Sequence, residues 1–365
     1  MAICFHSSNQ IIKINMKKIS IIFLLVIVSA CKKKPSTQKM EEINVELMIV
    51  ADSISSLMST YHYNPEQLGS NEYIGLEGKA KELALTSKTK EEFIEGYNQL
   101  WAEGPFSHVR LAIMQQPAEE MANYIDSLRV GGKGVNLEWM NNTAMLTVNT
   151  MMGVDTQEQV FDAYRKIAKK RTDTLIIDLR NNEGGTFAGI PLMGHLTSDT
   201  IDIGMFVSQK WWNNHAEDPT VEDVKDLPSW EGWSIRSFWK DVQDKPLTRV
   251  QIKPMSPQFQ GPVYVLISNR TASAAEFTVD ALAHLKNVTI IGQTTAGEML
   301  SQKMFDLPHG LQLSLPIADY YATRMGRIEG KGVDPDIAID AEKAKELSLA
   351  LIKGVKLDDA RNQMQ

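Results

Sequence analysis

Cysteine is almost missing from this chain. Among 365 residues only Cys4 and Cys31 are cysteines. Both lie near the start, so the rest of the sequence can form no disulfide and offers no thiol nucleophile. Neither a His-Glu-x-x-His nor a Cys-x-x-Cys spacing occurs, which removes the usual zinc patterns, and neither a metal nor a cofactor is expected. There is no Gly-x-Ser-x-Gly elbow, so the α/β-hydrolase arrangement is excluded. A basic surplus is lacking too. The formal charge is −7, which argues against a nucleic-acid partner. There is no internal repeat and no low-complexity tract. The apolar run Ile19 to Val28 is shorter than the roughly 20 residues a membrane helix needs.

What is present begins with a targeting pattern. Met16-Lys17-Lys18, with Met16 a candidate start, precedes that apolar run, and Val28-Ser29-Ala30-Cys31 follows it. A basic start, a short apolar stretch and small residues before a break describe a secretory signal over 1–30. The last four residues resemble a bacterial lipobox, in which the cysteine is lipidated. Cys31 is therefore the expected lipid site, and the protein is expected to be exported and membrane-anchored in a bacterial cell envelope. Residues 31–40, polar and holding Pro35, are expected to be a tether.

Residues 41–104 predict a small helical domain. Glu41 to Tyr61 is periodic, and Thr89-Lys90-Glu91-Glu92 is a capping box ahead of Phe93, Ile94, Tyr97, Leu100 and Trp101. From about residue 133 strands and helices alternate. Ala144–Val148, Thr174–Asp178, Val263–Ile267 and Val288–Gly292 are short apolar strands, and Thr156 is the expected cap of a helix running to about Arg171. This alternation predicts an α/β core over 105–345, with a tail at 346–365. Residues 199–258 hold five of the seven tryptophans. They read either as an insertion packed on the core or as a lid over a site.

Chemistry concentrates at Thr271-Ala272-Ser273-Ala274-Ala275-Glu276, between a strand and a helix. Small neighbours and helix N–H groups would expose the Ser273 hydroxyl and favour developing negative charge. An ordinary N-cap serine fits the same segment. Three further segments bear on the choice. Asp178 to Gly185 is a strand running into paired glycines, whose N–H groups can approach a ligand oxygen or merely make a tight turn. Phe106-Ser107-His108-Val109 offers a histidine beside a serine. Glu329-Gly330-Lys331-Gly332-Val333-Asp334-Pro335-Asp336 is turn-rich and carries a carboxylate. Ser87-Lys88-Thr89-Lys90 fits Ser-x-x-Lys, but it lies at a helix start, where capping explains it. His62, His195, His215, His284 and His309 have no spacing argument for a site.

Together these segments resemble the tail-specific (C-terminal processing) proteases and the tricorn core protease. Asp178 to Gly185 is similar to that family's Asp-Leu-Arg-x-Asn-x-Gly-Gly signature, and Thr271 to Glu276 to its nucleophile segment. Gly292-Gln293-Thr294-Thr295-Ala296-Gly297 and Gly332 to Asp336 are similar to two further landmarks. The resemblance spans roughly 100–340. It implies a crotonase/Clp-protease-like β-β-α core and a serine peptidase acting on peptides or unfolded protein tails. About 25 residues separate His108 from Gly134, far short of a typical domain, so no PDZ domain is expected.

The tail-specific branch uses a Ser–Lys dyad. Its lysine position is held here by Glu298, and Lys303 lies five residues further on. The tricorn branch uses a Ser-His-Ser-Glu tetrad, which the resemblance places on Ser273, His108, Ser107 and Glu329. Glu329 would then act through the Ser107 hydroxyl, and Gly184, Gly185 and Ala274 would form the oxyanion hole. The same scaffold also implies an alternative, a non-catalytic protein that binds peptides or hydrophobic ligands.

Overall fold

The computed structural model describes residues 37–364. The signal segment, Cys31 and most of the expected tether lie outside these residues. Twelve strands follow the chain: β1 (Arg110–Ile113), β2 (Val135–Met140), β3 (Thr143–Val148), β4 (Thr174–Asp178), β5 (Ile201–Ser208), β6 (Leu247–Ile252), β7 (Val263–Ile267), β8 (Val288–Gly292), β9 (Ser301–Leu307), β10 (Leu311–Ala322), β11 (Gly326–Arg327) and β12 (Ile337–Ala338). They form two six-stranded sheets. The first runs β12-β8-β7-β4-β3-β2 and is parallel except for the β2–β3 pair. Its central strands are nearly all apolar because helices cover both faces. The helix Val154–Lys170 belongs to one face, and Ala341–Ile352 and Leu357–Gln363 close the other around Met145, Ile176, Leu266 and Ile291. Of the segment 346–365, expected as a tail, the described residues 346–364 are thus mostly helical, with Leu347 and Ala360 fully buried.

The second sheet is antiparallel, in the order β1-β10-β5-β6, with β9 and β11 on the other side of β10. β5 and β6 come from the tryptophan-rich stretch. That stretch is therefore built into the sheet, and its helix Ile235–Asp244 buries Phe238, Trp239 and Val242.

The mixed α/β fold with a helical N-terminal region is the one expected. Thr37–Tyr61, Asn71–Thr86 and Lys90–Trp101 are helices. Thr89 caps the third through the Glu92 N–H at 3.1 Å, while the Glu92 side chain reaches the Lys88 N–H, one residue earlier than a standard capping box. The apolar core of these helices is continuous with Leu111, Leu311, Leu313 and Leu315 of the second sheet. The expected Thr156 cap is displaced. That helix begins at Val154 after Gly153 (φ 93°), and the Thr156 hydroxyl bonds the Met152 carbonyl at 2.6 Å. Between His108 and Gly134 lie β1, the helix Ala118–Ser127 and one 3-10 turn.

Candidate active site

Two turns at the ends of neighbouring parallel strands β4 and β7 build the site. Leaving β4, Asp178 accepts the Arg180 backbone N–H and side chain, and Arg180 Nη1 donates to the Ala341 carbonyl at 2.7 Å. The Asp-Leu-Arg part of the signature therefore fixes the turn against the C-terminal helix. Asn182, fully buried, donates to the Val148 carbonyl at 2.9 Å and accepts the Gly184 N–H at 2.9 Å. Leaving β7, the Thr271 hydroxyl donates to the Leu179 carbonyl at 2.9 Å, and the Ala272 N–H donates to the Asn182 carbonyl at 3.1 Å. The two turns are thus sewn together, and Ser273 stands where they meet.

Ser273 opens the helix Ala274–Leu282 with φ 55° and ψ −125°. A non-glycine residue there costs about 1–3 kcal/mol and persists only when its surroundings impose it. The surroundings are visible. A Cβ on Gly184 would lie 2.7 Å from the Ser273 Cβ and 2.8 Å from the Ala272 carbonyl oxygen. Glu276, fully buried, accepts the Ser273 N–H at 3.0 Å, the Thr295 hydroxyl at 2.5 Å, the Gly297 N–H at 2.7 Å and the Glu298 N–H at 2.8 Å. Burial pushes its carboxyl above its ordinary value against these four bonds. Thr295 in turn accepts the Val333 N–H at 2.7 Å. The Gly292–Gly297 and Gly332–Asp336 landmarks are therefore clamps on the serine turn.

The Gly184 N–H, expected to face an oxyanion, is already engaged by Asn182. Its place next to Ser273 needs glycine for steric reasons. The N–H groups of Gly185 (φ 143°) and Ala274 find no acceptor among the described residues, and both residues line the cavity.

His108 lies on the other side. It too has a left-handed backbone, φ 65°. Its ring Nδ1 is 2.5 Å from the Ser107 hydroxyl. Glu329, nearly buried, accepts the Ser107 backbone N–H at 3.2 Å and the Met299 N–H at 2.6 Å. The expected contact of Glu329 with the Ser107 hydroxyl is replaced by one with the Ser107 backbone. Burial lowers the His108 pKa from its ordinary value, and the carboxylates of Glu329 and Glu298 oppose that shift. Among the described residues no hydrogen bond joins His108 to Ser273, but both line one cavity of about 700 Å³. Its apolar wall includes Phe187, Trp230, Phe238, Trp239 and Phe277. Lys303 is turned away: its amine donates to the Gln243 side chain at 2.7 Å, while Ser301, Gln302 and Met304 line the cavity.

Peptidase family S41 matches residues 142–339, more than half of the chain and including both turns. The chain belongs to peptidase family S41. This S41 chain is 26% identical over 180 residues to the chloroplastic C-terminal processing peptidase of Tetradesmus obliquus, covering 49% of the chain and 32% of that protein. It is 25% identical over 197 residues to the carboxy-terminal processing protease CtpA of Bacillus subtilis (strain 168), covering 54% and 35%. The chain spans about a third of the length of these curated relatives. A solved lipoprotein from Streptococcus agalactiae matches with a TM-score of 0.54 at 16% identity, over 85% of this chain and 96% of that one. Mature CPAF matches with 0.54 at 14%, over 86% and 98%. At such identities the structures speak for the fold alone.

The clamping roles of Glu276 and Asn182 were not legible from the sequence beforehand. An acid in the first turn of the largely apolar run Ala274 to Leu282, which also holds Asp280, was the available signal for Glu276. Asn182 is the asparagine of the Asp-Leu-Arg-x-Asn-x-Gly-Gly signature, which marked the position but not its hydrogen-bonding role. Among the described residues no cluster of three metal-ligating side chains occurs, and no helix is long and apolar enough to cross a membrane.

Proposed function

We propose that this chain is a serine endopeptidase that cleaves peptides or protein tails through an acyl-enzyme. The observation that carries the reading is Ser273, held in a strained conformation at the joint of two clamped turns and facing a cavity it shares with His108. With Nδ1 protonated and donating to the Ser107 hydroxyl, the free His108 nitrogen is Nε2. It takes the Ser273 proton as Oγ attacks the scissile carbonyl carbon. The Gly185 and Ala274 N–H groups receive the oxyanion. Collapse breaks the C–N bond, and the amine leaves with the proton from His108. Water, deprotonated by the same ring, then hydrolyses the ester. Glu329, fixed by two backbone N–H groups, supplies the negative charge that favours the imidazolium. This assigns the tetrad Ser273, His108, Ser107 and Glu329, with Gly184 keeping the approach to Ser273 open.

The lipobox-like run supports an exported protein anchored through lipid on Cys31. Intact-mass analysis of Cys31→Ser against wild type tests that part, and a lipid-free wild-type protein overturns it. A second reading, binding of a hydrophobic ligand without cleavage, is favoured by the aromatic wall. Profiling of cleavage termini with wild type against Ser273→Ala separates the two. Termini that depend on Ser273 are expected, and identical profiles would support the binding reading.

A further inference from the structure

One side of the arm carrying His108 is held by groups that take no part in the chemistry above. Phe106, one residue before Ser107, sits among rings of the helical region: His62 at 4.2 Å, Trp101 at 5.0 Å, and Tyr63 and Tyr73 each at 6.3 Å between centroids. The other side of the arm is Glu329. Two residues before it, Arg327 donates from Nε to Asp319 at 2.5 Å and from Nη2 to the Tyr63 hydroxyl at 3.0 Å. That hydroxyl donates onward to Gln67 at 2.5 Å, and the Tyr63 N–H donates to the Pro316 carbonyl at 3.3 Å. Tyr63 and Asp319 are each 1% exposed. One residue of the helical region thus packs on Phe106 and bonds the segment leading into Glu329, while Glu329 itself bonds the Ser107 N–H.

We propose that Tyr63 and Arg327 are positioning residues that lock the His108 arm and Glu329 to the helical N-terminal region, so that His108 holds its working place only while that region is docked. The physical reason is the left-handed backbone at His108, which relaxes unless its surroundings over-determine it. Phe106 supplies the packing and Arg327 the polar tie. Arg327 loses an acceptor for a half-buried, charged donor when the phenol is removed, and such a bond is among the stronger ones. The proposal rests on the reading of His108 as the base.

The test uses the full chain and two readouts. The first is the rate at which a fluorophosphonate labels Ser273. The second is the NMR titration midpoint of the His108 ring in a Ser273→Ala background. Tyr63→Phe removes one hydroxyl and keeps the ring, so the fold survives. It is expected to slow labelling about tenfold and to move the His108 midpoint. Tyr97→Phe removes a buried hydroxyl of the same aromatic cluster that does not reach Arg327, and should change neither. Combining Tyr63→Phe with Glu329→Gln should cost less than the product of the two single losses, because both act on one arm. A Tyr63→Phe protein with wild-type labelling and an unmoved midpoint overturns the proposal, as does full multiplication of the two losses. If wild type is not labelled at all, the peptidase reading fails and the midpoint alone decides. A shift on Tyr63→Phe still supports the coupling, and identical midpoints still refute it.

Discussion

Acid should loosen the helical region through His62. The ring is fully buried against Phe106 and Tyr63, its Nδ1 is 2.9 Å from the Asn64 carbonyl oxygen, and its Nε2 has no partner among the described residues. Burial, with a smaller push from the Arg327 charge and against the Asn64 bond, lowers its pKa from 6.5 to about 4. The folded protein therefore keeps the ring neutral over a range where the unfolded chain protonates it. Stability contributed by the neutral ring is full above pH 6.5, declines as pH falls, and is lost by about pH 4. A shift of this size corresponds to on the order of 3 kcal/mol. Urea unfolding followed by tryptophan fluorescence at pH 7, 6, 5 and 4 measures it. His62→Gln keeps a donor for the Asn64 carbonyl but cannot titrate, so the carboxylates common to both proteins cancel in the comparison. Wild type should lose about 3 kcal/mol more than the variant between pH 7 and 4. Parallel curves for the two proteins would refute the assignment of a neutral, buried His62.

Four further outcomes follow from the same contacts. Gly184→Ala places a methyl 2.7 Å from the Ser273 Cβ at φ 92°, so it should lower the free energy of unfolding by about 2–4 kcal/mol and abolish labelling of Ser273. Glu329→Gln keeps the shape but removes the charge. It should reduce kcat by about ten- to a thousand-fold with little change in KM, as for an interaction made mainly in the transition state, and unchanged kcat in steady-state assays would make Glu329 structural. Lys303→Ala should leave turnover near wild type, because its amine is tied to Gln243 outside the cavity, whereas His108→Ala should lose nearly all of it; the reverse ranking would favour a dyad. The pH–rate profile should rise with a midpoint below the ordinary histidine value of about 6.5, because burial depresses His108 and the base must be neutral to accept a proton.

The parallel sheet was readable because its strands are short apolar runs set between turn signals, and β3, β4, β7 and β8 fall where such runs do. The antiparallel sheet was not. β10 contains Pro316 and a bulge before Ala318, and a proline inside a run normally argues against a strand. β5 and β6 were masked by the tryptophans around them, which suggested an insertion. Ser107, His108, Ser273 and Glu329 are placed together only by the resemblance to the tricorn branch. Their arrangement was set by long-range contacts that a linear reading cannot supply: Glu329 meets the Ser107 backbone from 222 residues away. The Gly184 N–H illustrates the same limit. Paired glycines signal close backbone approach, but only the position of Asn182 shows that one of the two N–H groups is already occupied.

The central claim is that Ser273 is a nucleophile activated by His108. It is tested most directly by incubating folded protein with a fluorophosphonate and mapping the adduct by peptide mass spectrometry. The account predicts a single modified peptide bearing the adduct on Ser273, absent from Ser273→Ala and strongly diminished in His108→Ala. Folded wild-type protein that remains unlabelled, or labels equally well without His108, would contradict it.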